Sequence, residues 1–357
     1  MVRRVEAVVD GSGNVRLFEE EKLPGAAATS PRFGLVRVSR KRSSCCHDGR
    51  GTGIPPKDRQ ARTRCACRSA CGLGGVQDGH WAEHAAGQSG SAATITEEAV
   101  TQSESIYDSP RLAAGYAYDR PAIHGRIMEA AREHLHITNR LGRALDIGCG
   151  AGLSTAALQS LAETVVGLEP VQAMLTHSRV VAPGVLFLVG RAERLPFSAG
   201  AFDLIAAAGA LNYVDVDLFL PEAVRVLAPS GVLIIYDFSA GRHAREGHQL
   251  DEWFATFARR YPAPPGYELD VKGLAYRRSG LRLEAYAELE IAVPMTLGTY
   301  LPYVLSETRV ESAISRGVPE MEIRAWCQST LPNVFGDTSR DVLFSAYVAY
   351  VSRDGST

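Results

Sequence analysis

Apolar positions along this chain change their period from region to region, and the changes mark out the elements. Short, mainly apolar runs at 144–147 (with Asp146 inside it), 165–168, 185–189, 204–208 and 232–236 predict strands buried on both faces. Leu281, Leu283, Ala285, Ala287, Leu289 and Ile291 instead alternate with Arg282, Glu284, Tyr286, Glu288 and Glu290, the period of a half-buried strand. A last apolar strand is expected over 342–351. Helical spacing takes over at Ile123, Ile127, Ala131 and Leu135, with Pro121 at the first helical position. It returns at Leu250, Trp253, Phe254 and Phe257, where Tyr261 and Pro262 end it. Further helical segments are expected around 300–305 and 321–331.

The first hundred residues follow another rule. In 1–24, two short apolar runs flank Asp10-Gly11-Ser12-Gly13, the signature of a β-hairpin-like segment. Apolar periodicity nearly vanishes over 25–104, which is rich in Gly, Arg, Ser and Ala and predicts a disordered leader. Cys45, Cys46, Cys65, Cys67 and Cys71 lie there, but C-x-C-x3-C without a second close pair is poor grammar for a tetrahedral site, so no metal is expected. The basic residues of the leader have only Trp81 for base stacking, so no nucleic acid is expected.

Composition bounds the rest. A chain of 357 residues with 46% hydrophobic content can bury a full core, and a net charge of −2 gives no general attraction to nucleic acid. Apolar runs such as 204–211 are too short to span a bilayer, and the first residues lack the apolar stretch of a secretion signal. The expectation is a cytoplasmic protein, with no membrane partner, whose seven cysteines are thiols.

The candidate chemistry sits where the first long apolar run stops. Gly148, Gly150 and Gly152 fall on alternate positions, and an apolar-periodic helix starts at Leu153. A strand, a tight turn and a helix start bring a nucleotide-like ligand against bare backbone. The spacing is G-x-G-x-G, more compressed than the G-x-G-x-x-G of dinucleotide sites, and Asp146 precedes it, which suits a cationic ligand better than a diphosphate. Glu169 closes the next apolar run at the interval where a carboxylate accepts the two hydroxyls of a ribose.

Together these residues resemble the first motif and acidic partner of the class I (Rossmann-like, type 11) S-adenosylmethionine-dependent methyltransferases. The segment Gly190-Arg191-Ala192-Glu193-Arg194-Leu195-Pro196-Phe197 resembles the family's adenine-holding G-D-A-E-x-L-P-F stretch, with Arg191 where an Asp is common. Asn212-Tyr213 after the fourth core strand and the helix–turn–strand around 226–236 follow in the family's order, and the resemblance covers about 105–352. It implies a class I methyltransferase α/β fold: a seven-stranded mostly parallel sheet, an antiparallel last strand, helices on both faces and a helical cap over the acceptor site. By the same resemblance, 105–240 forms the core that binds S-adenosylmethionine, through Asp146, Gly148, Cys149, Gly150, Gly152, Glu169, Pro170, Ala192, Glu193 and Asn212. The remainder, 241–357, carries the cap and last two strands. Tyr116, Tyr118 and Arg120 are candidates for the methionine carboxylate or the acceptor, and Met295, Tyr300 and Tyr303 for the acceptor pocket.

A sulfonium is already a good leaving group, so alignment and exclusion of water matter more than acid–base chemistry. Where the acceptor must lose a proton, His124, His243, Asp237 (expected just past the fifth strand) and Tyr213 are the candidates, with each His otherwise read as a surface residue. No N-P-P-[YF] or Pro-Cys pair marks a nucleic-acid base as target, so the expected acceptor is a small molecule with a carboxylate, hydroxyl or carbon nucleophile. Two alternatives stand beside this reading: a non-catalytic binder of S-adenosylmethionine or S-adenosylhomocysteine, and a nicotinamide-dependent dehydrogenase, which the turn spacing disfavours.

Overall fold

The computed structural model describes residues 4–9, 15–20, 106–264 and 269–355. Strands β1 (Arg4–Val9) and β2 (Val15–Glu20) pair in a two-stranded sheet of their own. The leader expected over 25–104, with its five cysteines, lies outside the described residues.

From residue 106 onward the chain alternates helix and strand around one large sheet. Helix α1 (Pro110–Tyr118) starts with Pro110 at its first position, and the Ser109 side chain accepts the Leu112 N–H as a cap. Helix α2 (Ile123–His134) follows. Pro121 precedes its cap residue Ala122 instead of occupying the first helical position; the proline that does open a helix is Pro110. The core then runs β3 (Leu141–Ile147), α3 (Leu153–Leu158), β4 (Ala162–Glu169), α4 (Ser178–Val181), β5 (Leu186–Val189), β6 (Phe202–Ala208), α5 (Val216–Val226) and β7 (Leu227–Phe238). Beyond it come β8 (His243–Ala244), α6 (Gln249–Arg260), β9 (Leu281–Met295), α7 (Leu297–Leu305), α8 (Thr308–Ser315), α9 (Glu320–Thr330), α10 (Pro332–Phe335) and β10 (Arg340–Arg353).

The sheet runs β5-β4-β3-β6-β7-β10, and β9 pairs with β10. Pairs from β5 to β7 are parallel, whereas β10 is antiparallel to both β7 and β9. The sheet has eight strands and not seven. The extra one, β8, is two residues long and pairs with Val342 and Leu343 of β10, continuing the edge along which β7 pairs with 346–352.

The apolar runs at 144–147, 165–168, 204–208 and 232–236 divide with period two between two cores. The run 185–189, expected to be buried on both faces, instead forms the edge strand β5 and leaves Val189 exposed because it has a neighbour on one side only. Ala144, Leu204, Ala206, Ile234 and Tyr236 join one core with α2, α6 and α7. Leu145, Ile147, Ile205, Leu233 and Ile235 join the other with α5. Consecutive apolar residues are needed because each strand feeds both cores in turn. Helices α6, α7 and α9 supply Trp253, Phe257, Tyr300 and Trp326 to a network of aromatic contacts; Trp253 and Phe257 stack at 5.1 Å. The same residues set the helical period read from the sequence.

Candidate active-site cleft

The strand β3 delivers Asp146 to the end of the sheet and then breaks. Gly148, Gly150 and Gly152 all have positive φ (62°, 51° and 96°), the left-handed region where a side chain is strained. At Gly148 space excludes a side chain as well, because a Cβ there would sit 2.5 Å from that of Ala210. This tight packing draws the loop after β6 against the turn.

Two carboxylates hold the turn. Asp146 is fully buried, and its Oδ2 accepts from the Ser154 hydroxyl at 2.7 Å and the Thr155 hydroxyl at 2.6 Å, both on α3. Its Oδ1 is buried with no hydrogen-bond partner. Burial pushes the Asp146 carboxyl up to about 6, against the opposing pull of the two hydroxyl donors. Glu169 ends β4; its Oε2 accepts from Gly150 N–H at 2.9 Å and its Oε1 from Val171 N–H at 3.0 Å. The two acids read from the sequence therefore brace the loop from both sides.

A cleft of about 760 Å³, counting its open mouth, starts at this turn. Cys149, Gly150, Ala151, Leu153 and Ser154 form one wall, and the end of β7 (Asp237 and Phe238) with Ser239 and Ala240 forms another. Tyr116, Arg120 and His124 enter from α1, the link after it and α2, while Tyr303, Glu307 and Thr308 come from α7, α8 and the bend between them.

Arg120 is tightly held. It donates to Glu307 at 3.1 Å and to the Ser306 carbonyl at 2.9 Å, with the rings of Tyr116 and Tyr303 at 4.1 and 5.5 Å from its guanidinium carbon. His124 is not a surface residue: its Nδ1 lies 2.9 Å from the Tyr236 hydroxyl, and its ring meets Phe238 edge-on at 5.2 Å. Burial, aided by the Arg120 charge, holds its pKa down at about 4. His243 does stand exposed, 2.9 Å from Asp251. Asp237 lies within β7 and not past it, because β10 extends the pairing to Tyr347 opposite Asp237 and Ala346 opposite Phe238. Its Oδ1 accepts from Phe238 N–H and its Oδ2 from Asn212 Nδ2.

Tyr116, Arg120, His124, Cys149, Gly150, Asp237 and Tyr303 thus share one cleft, whereas Tyr118, Met295 and Tyr300 do not line it. Tyr118 is exposed and bonds to His177 at 3.2 Å; Met295 is buried at the end of β9. Tyr300 spends its hydroxyl on the Gly241 carbonyl at 2.7 Å. Asp146, Gly148, Gly152, Glu169, Pro170, Ala192, Glu193, Asn212 and Tyr213 also lie outside the lining, the first four directly beside the lining residues Cys149 and Gly150 or bonded to them or to Ser154. Glu193 accepts from Asp215 N–H at 3.0 Å and pairs with Arg191 at 3.6 Å. The sequence reading missed Tyr236 and Glu307. Tyr236 was detectable as the one polar-tipped residue in the apolar run 232–236; Glu307 gives no local signal.

Among the described residues no helix is long and apolar enough to cross a membrane, and no three His, Cys, Asp or Glu side chains are grouped to hold a metal.

Comparison with known proteins joins these observations to a family. Residues 145–235 match the family described as "Methyltransferase domain". A methyltransferase of Dictyostelium discoideum is 25% identical over 223 residues, which is 60% of this chain and 83% of that protein. The phthiotriol/phenolphthiotriol dimycocerosates methyltransferase of Mycobacterium leprae is 32% identical over 143 residues, 36% of this chain and 51% of that protein. The chain spans about half or less of the length of several other relatives it matches. A solved structure from Anaeromyxobacter dehalogenans, described as a type II methyltransferase, is 22% identical, covers 66% of this chain and 96% of its own, and has a TM-score of 0.48. The turn, its two acids and the strand order fall in or beside the stretch that matches the methyltransferase domain family, and together they support a class I S-adenosylmethionine-dependent methyltransferase.

Proposed function

We propose that this chain binds S-adenosylmethionine across the turn at 148–152 and transfers its methyl group to a small-molecule acceptor in the adjoining cleft. One observation carries the reading: a single cleft runs from the glycine turn to a cluster of polar and aromatic side chains from α1, α2, β7 and α7. The residues present fit the cofactor. The turn offers backbone without side chains, Glu169 offers carboxylate oxygens beside it, and the buried Asp146 Oδ1 lacks a hydrogen-bond donor.

When bound, S-adenosylmethionine supplies a methyl group on a positively charged sulfur that leaves readily. The chain's own part is alignment. Asp146 ties the turn to α3, and Glu169 fixes Gly150. Arg120, clamped between Tyr116 and Tyr303, joins the first helices to the cap so that the cleft keeps its shape and limits water. Asp237, at the cleft wall, is placed to take a proton from the acceptor. The relative named for phthiotriol dimycocerosates supports an acceptor that is neither protein nor nucleic acid.

Titration calorimetry with S-adenosylmethionine, S-adenosylhomocysteine and NAD, followed by methyl transfer over a metabolite panel, tests the reading. Binding of the first two and not of NAD, with turnover of one acceptor class, is the expected outcome. Binding without turnover of any acceptor would favour a non-catalytic binder, and preference for NAD a dehydrogenase.

A further inference from the structure

We infer that His124 grips the methyl acceptor by donating its Nε2 hydrogen to an acceptor oxygen, that Tyr236 fixes it in this form, and that the acceptor is an uncharged carbonyl compound. The inference rests on the methyl-transfer reading of the cleft. It starts from the hydroxyl of Tyr236. That side chain is fully buried in the sheet, and its hydroxyl lies 2.9 Å from His124 Nδ1. Burial, with the carboxylates of Asp146 and Asp237, holds the phenol well above its ordinary pKa, so it keeps its hydrogen. A buried hydroxyl that donated to nothing would leave that hydrogen unsatisfied. Tyr236 therefore donates to Nδ1, and the single hydrogen of the neutral imidazole is on Nε2.

His124 lines the cleft while its Nδ1 side is turned to Tyr236, so Nε2 is the edge left for a ligand. The Phe238 ring, edge-on at 5.2 Å, holds the imidazole in that orientation. The charged and titratable groups around it in the cleft are Arg120, Glu307, Tyr116, Tyr303, Cys149 and Asp237, with Tyr236 behind. Burial and the Arg120 charge keep the ring neutral.

A neutral N–H donor dulls any oxygen it holds as a nucleophile. The methyl therefore goes to a neighbouring atom, and the gripped oxygen is a carbonyl beside it. Charge selects further. Arg120 gives its two terminal nitrogens to Glu307 and the Ser306 carbonyl and keeps only its buried Nε without a partner; with two lining carboxylates facing this one guanidinium, an anionic acceptor is disfavoured. For a phenolic ketone the step balances as follows. The phenol oxygen bonds to the methyl carbon as the carbon–sulfur bond breaks, the electron pair leaves on sulfur, and the phenol proton passes to the Asp237 carboxylate.

The probes are 2′-hydroxyacetophenone, salicylate and phenol, which differ in bearing a carbonyl, a carboxylate or neither. Transfer from S-adenosylmethionine to 2′-hydroxyacetophenone is expected to exceed that to the other two at least tenfold. His124→Ala should lower kcat/KM on it by about 100-fold, the scale of losing one preorganised donor. His124→Gln, whose amide places an N–H near Nε2, should recover most of that loss, which no proton-accepting role would allow. Ring nitrogen-15 NMR should find hydrogen on Nε2 and none on Nδ1, and Tyr236→Phe should mix the two forms. Hydrogen on Nδ1, His124→Gln as inactive as His124→Ala, preference for salicylate or phenol, or no transfer to the ketone would each overturn the proposal. Calorimetry separates the layers: all variants should bind S-adenosylmethionine as the wild type does, whereas a wild type that fails to bind it overturns the underlying methyl-transfer reading.

Discussion

The two ends of the cleft are held together over very different distances along the chain. At the turn, Asp146 reaches Ser154 and Thr155, and Glu169 reaches Gly150 and Val171, never more than 19 residues away. At the cap, Arg120 reaches Glu307 across 187 residues, Arg111 reaches Glu311 across 200, and His124 reaches Tyr236 across 112. The turn end is a local device, specified by spacing within one βαβ unit. The cap end is a tertiary one, assembled only when α1 and α2 meet α7 and β7. The first is hard to vary without losing the bonds that brace the turn. The second can be rebuilt by changing helices that the turn does not touch.

The sharpest way to break this contrast is at the cap. Arg120→Ala leaves the nearly buried Glu307 carboxylate without its cation and should destabilise the chain by about 3–5 kcal/mol. Chemical denaturation measures it, and a loss under about 1 kcal/mol would mean that the long-range clamp does not hold the cap.

At the turn the corresponding test is pH. Asp146 is held at about 6 in the folded chain against an ordinary 3.8, so between those values the folded state binds more protons than the unfolded one. Its contribution is therefore greatest at low pH and is lost as pH rises from about 4 to about 6, by about 3 kcal/mol. Asp146→Asn removes this term, so its stability relative to wild type should climb over that window and then level off. His124, held down at about 4, acts in the opposite sense in both proteins and cancels from the difference. Thermal melts across pH 4–8 give the curve; a flat difference would place the carboxyl in a wetter site.

Glu169→Gln sharpens the contrast in binding. The amide keeps one acceptor for the two main-chain donors, Gly150 and Val171, so S-adenosylmethionine affinity should fall by about tenfold, near 1.4 kcal/mol, as read by calorimetry. Unchanged affinity would detach Glu169 from the cofactor. The smallest effect belongs to Tyr118→Phe. It removes an exposed contact to His177 and should change stability by less than about 0.5 kcal/mol in a thermal melt.

The same contrast explains how much was legible in the sequence. Strands β3, β4, β6 and β7 stood out because burial on two faces demands runs of mainly apolar residues, and the turn stood out because positive φ selects glycine; the apolar run of β5 gave no sign that it lies at the sheet edge. Helix α1 did not. Its buried side is Leu112, Ala113, Gly115 and Ala117, small residues that carry little periodic signal. The reason for one of them lies far off: a Cβ on Gly115 would come within 2.7 Å of the Ser306 Cβ. In the sequence Tyr116 and Arg120 stand beside Tyr118, and Tyr303 beside Tyr300 and Met295, and nothing local separates the residues that line the cleft from those that do not. What separates them is where each side chain finds its partner. Tyr300 turns its hydroxyl to Gly241, and the exposed Tyr118 points to His177 while Arg120, two residues on, turns inward. Tyr236 had a visible anomaly, a hydroxyl in an apolar strand, but its meaning needed α2 beside it.

The place of β10 bears on how the domain is made. It is the last of the ten described strands to be synthesised, yet it lies between two that come earlier, β7 and β9. Until it arrives, both earlier strands present unpaired backbone edges, and the wall of the cleft formed by Asp237 and Phe238 lacks the pairing that shapes it. A nascent chain stopped between the end of β7 and residue 340 would carry a complete glycine turn on an open, aggregation-prone sheet. The last strand thus acts as a completion check: the turn and its two acids come early, but a finished cleft wall comes only with a finished sheet.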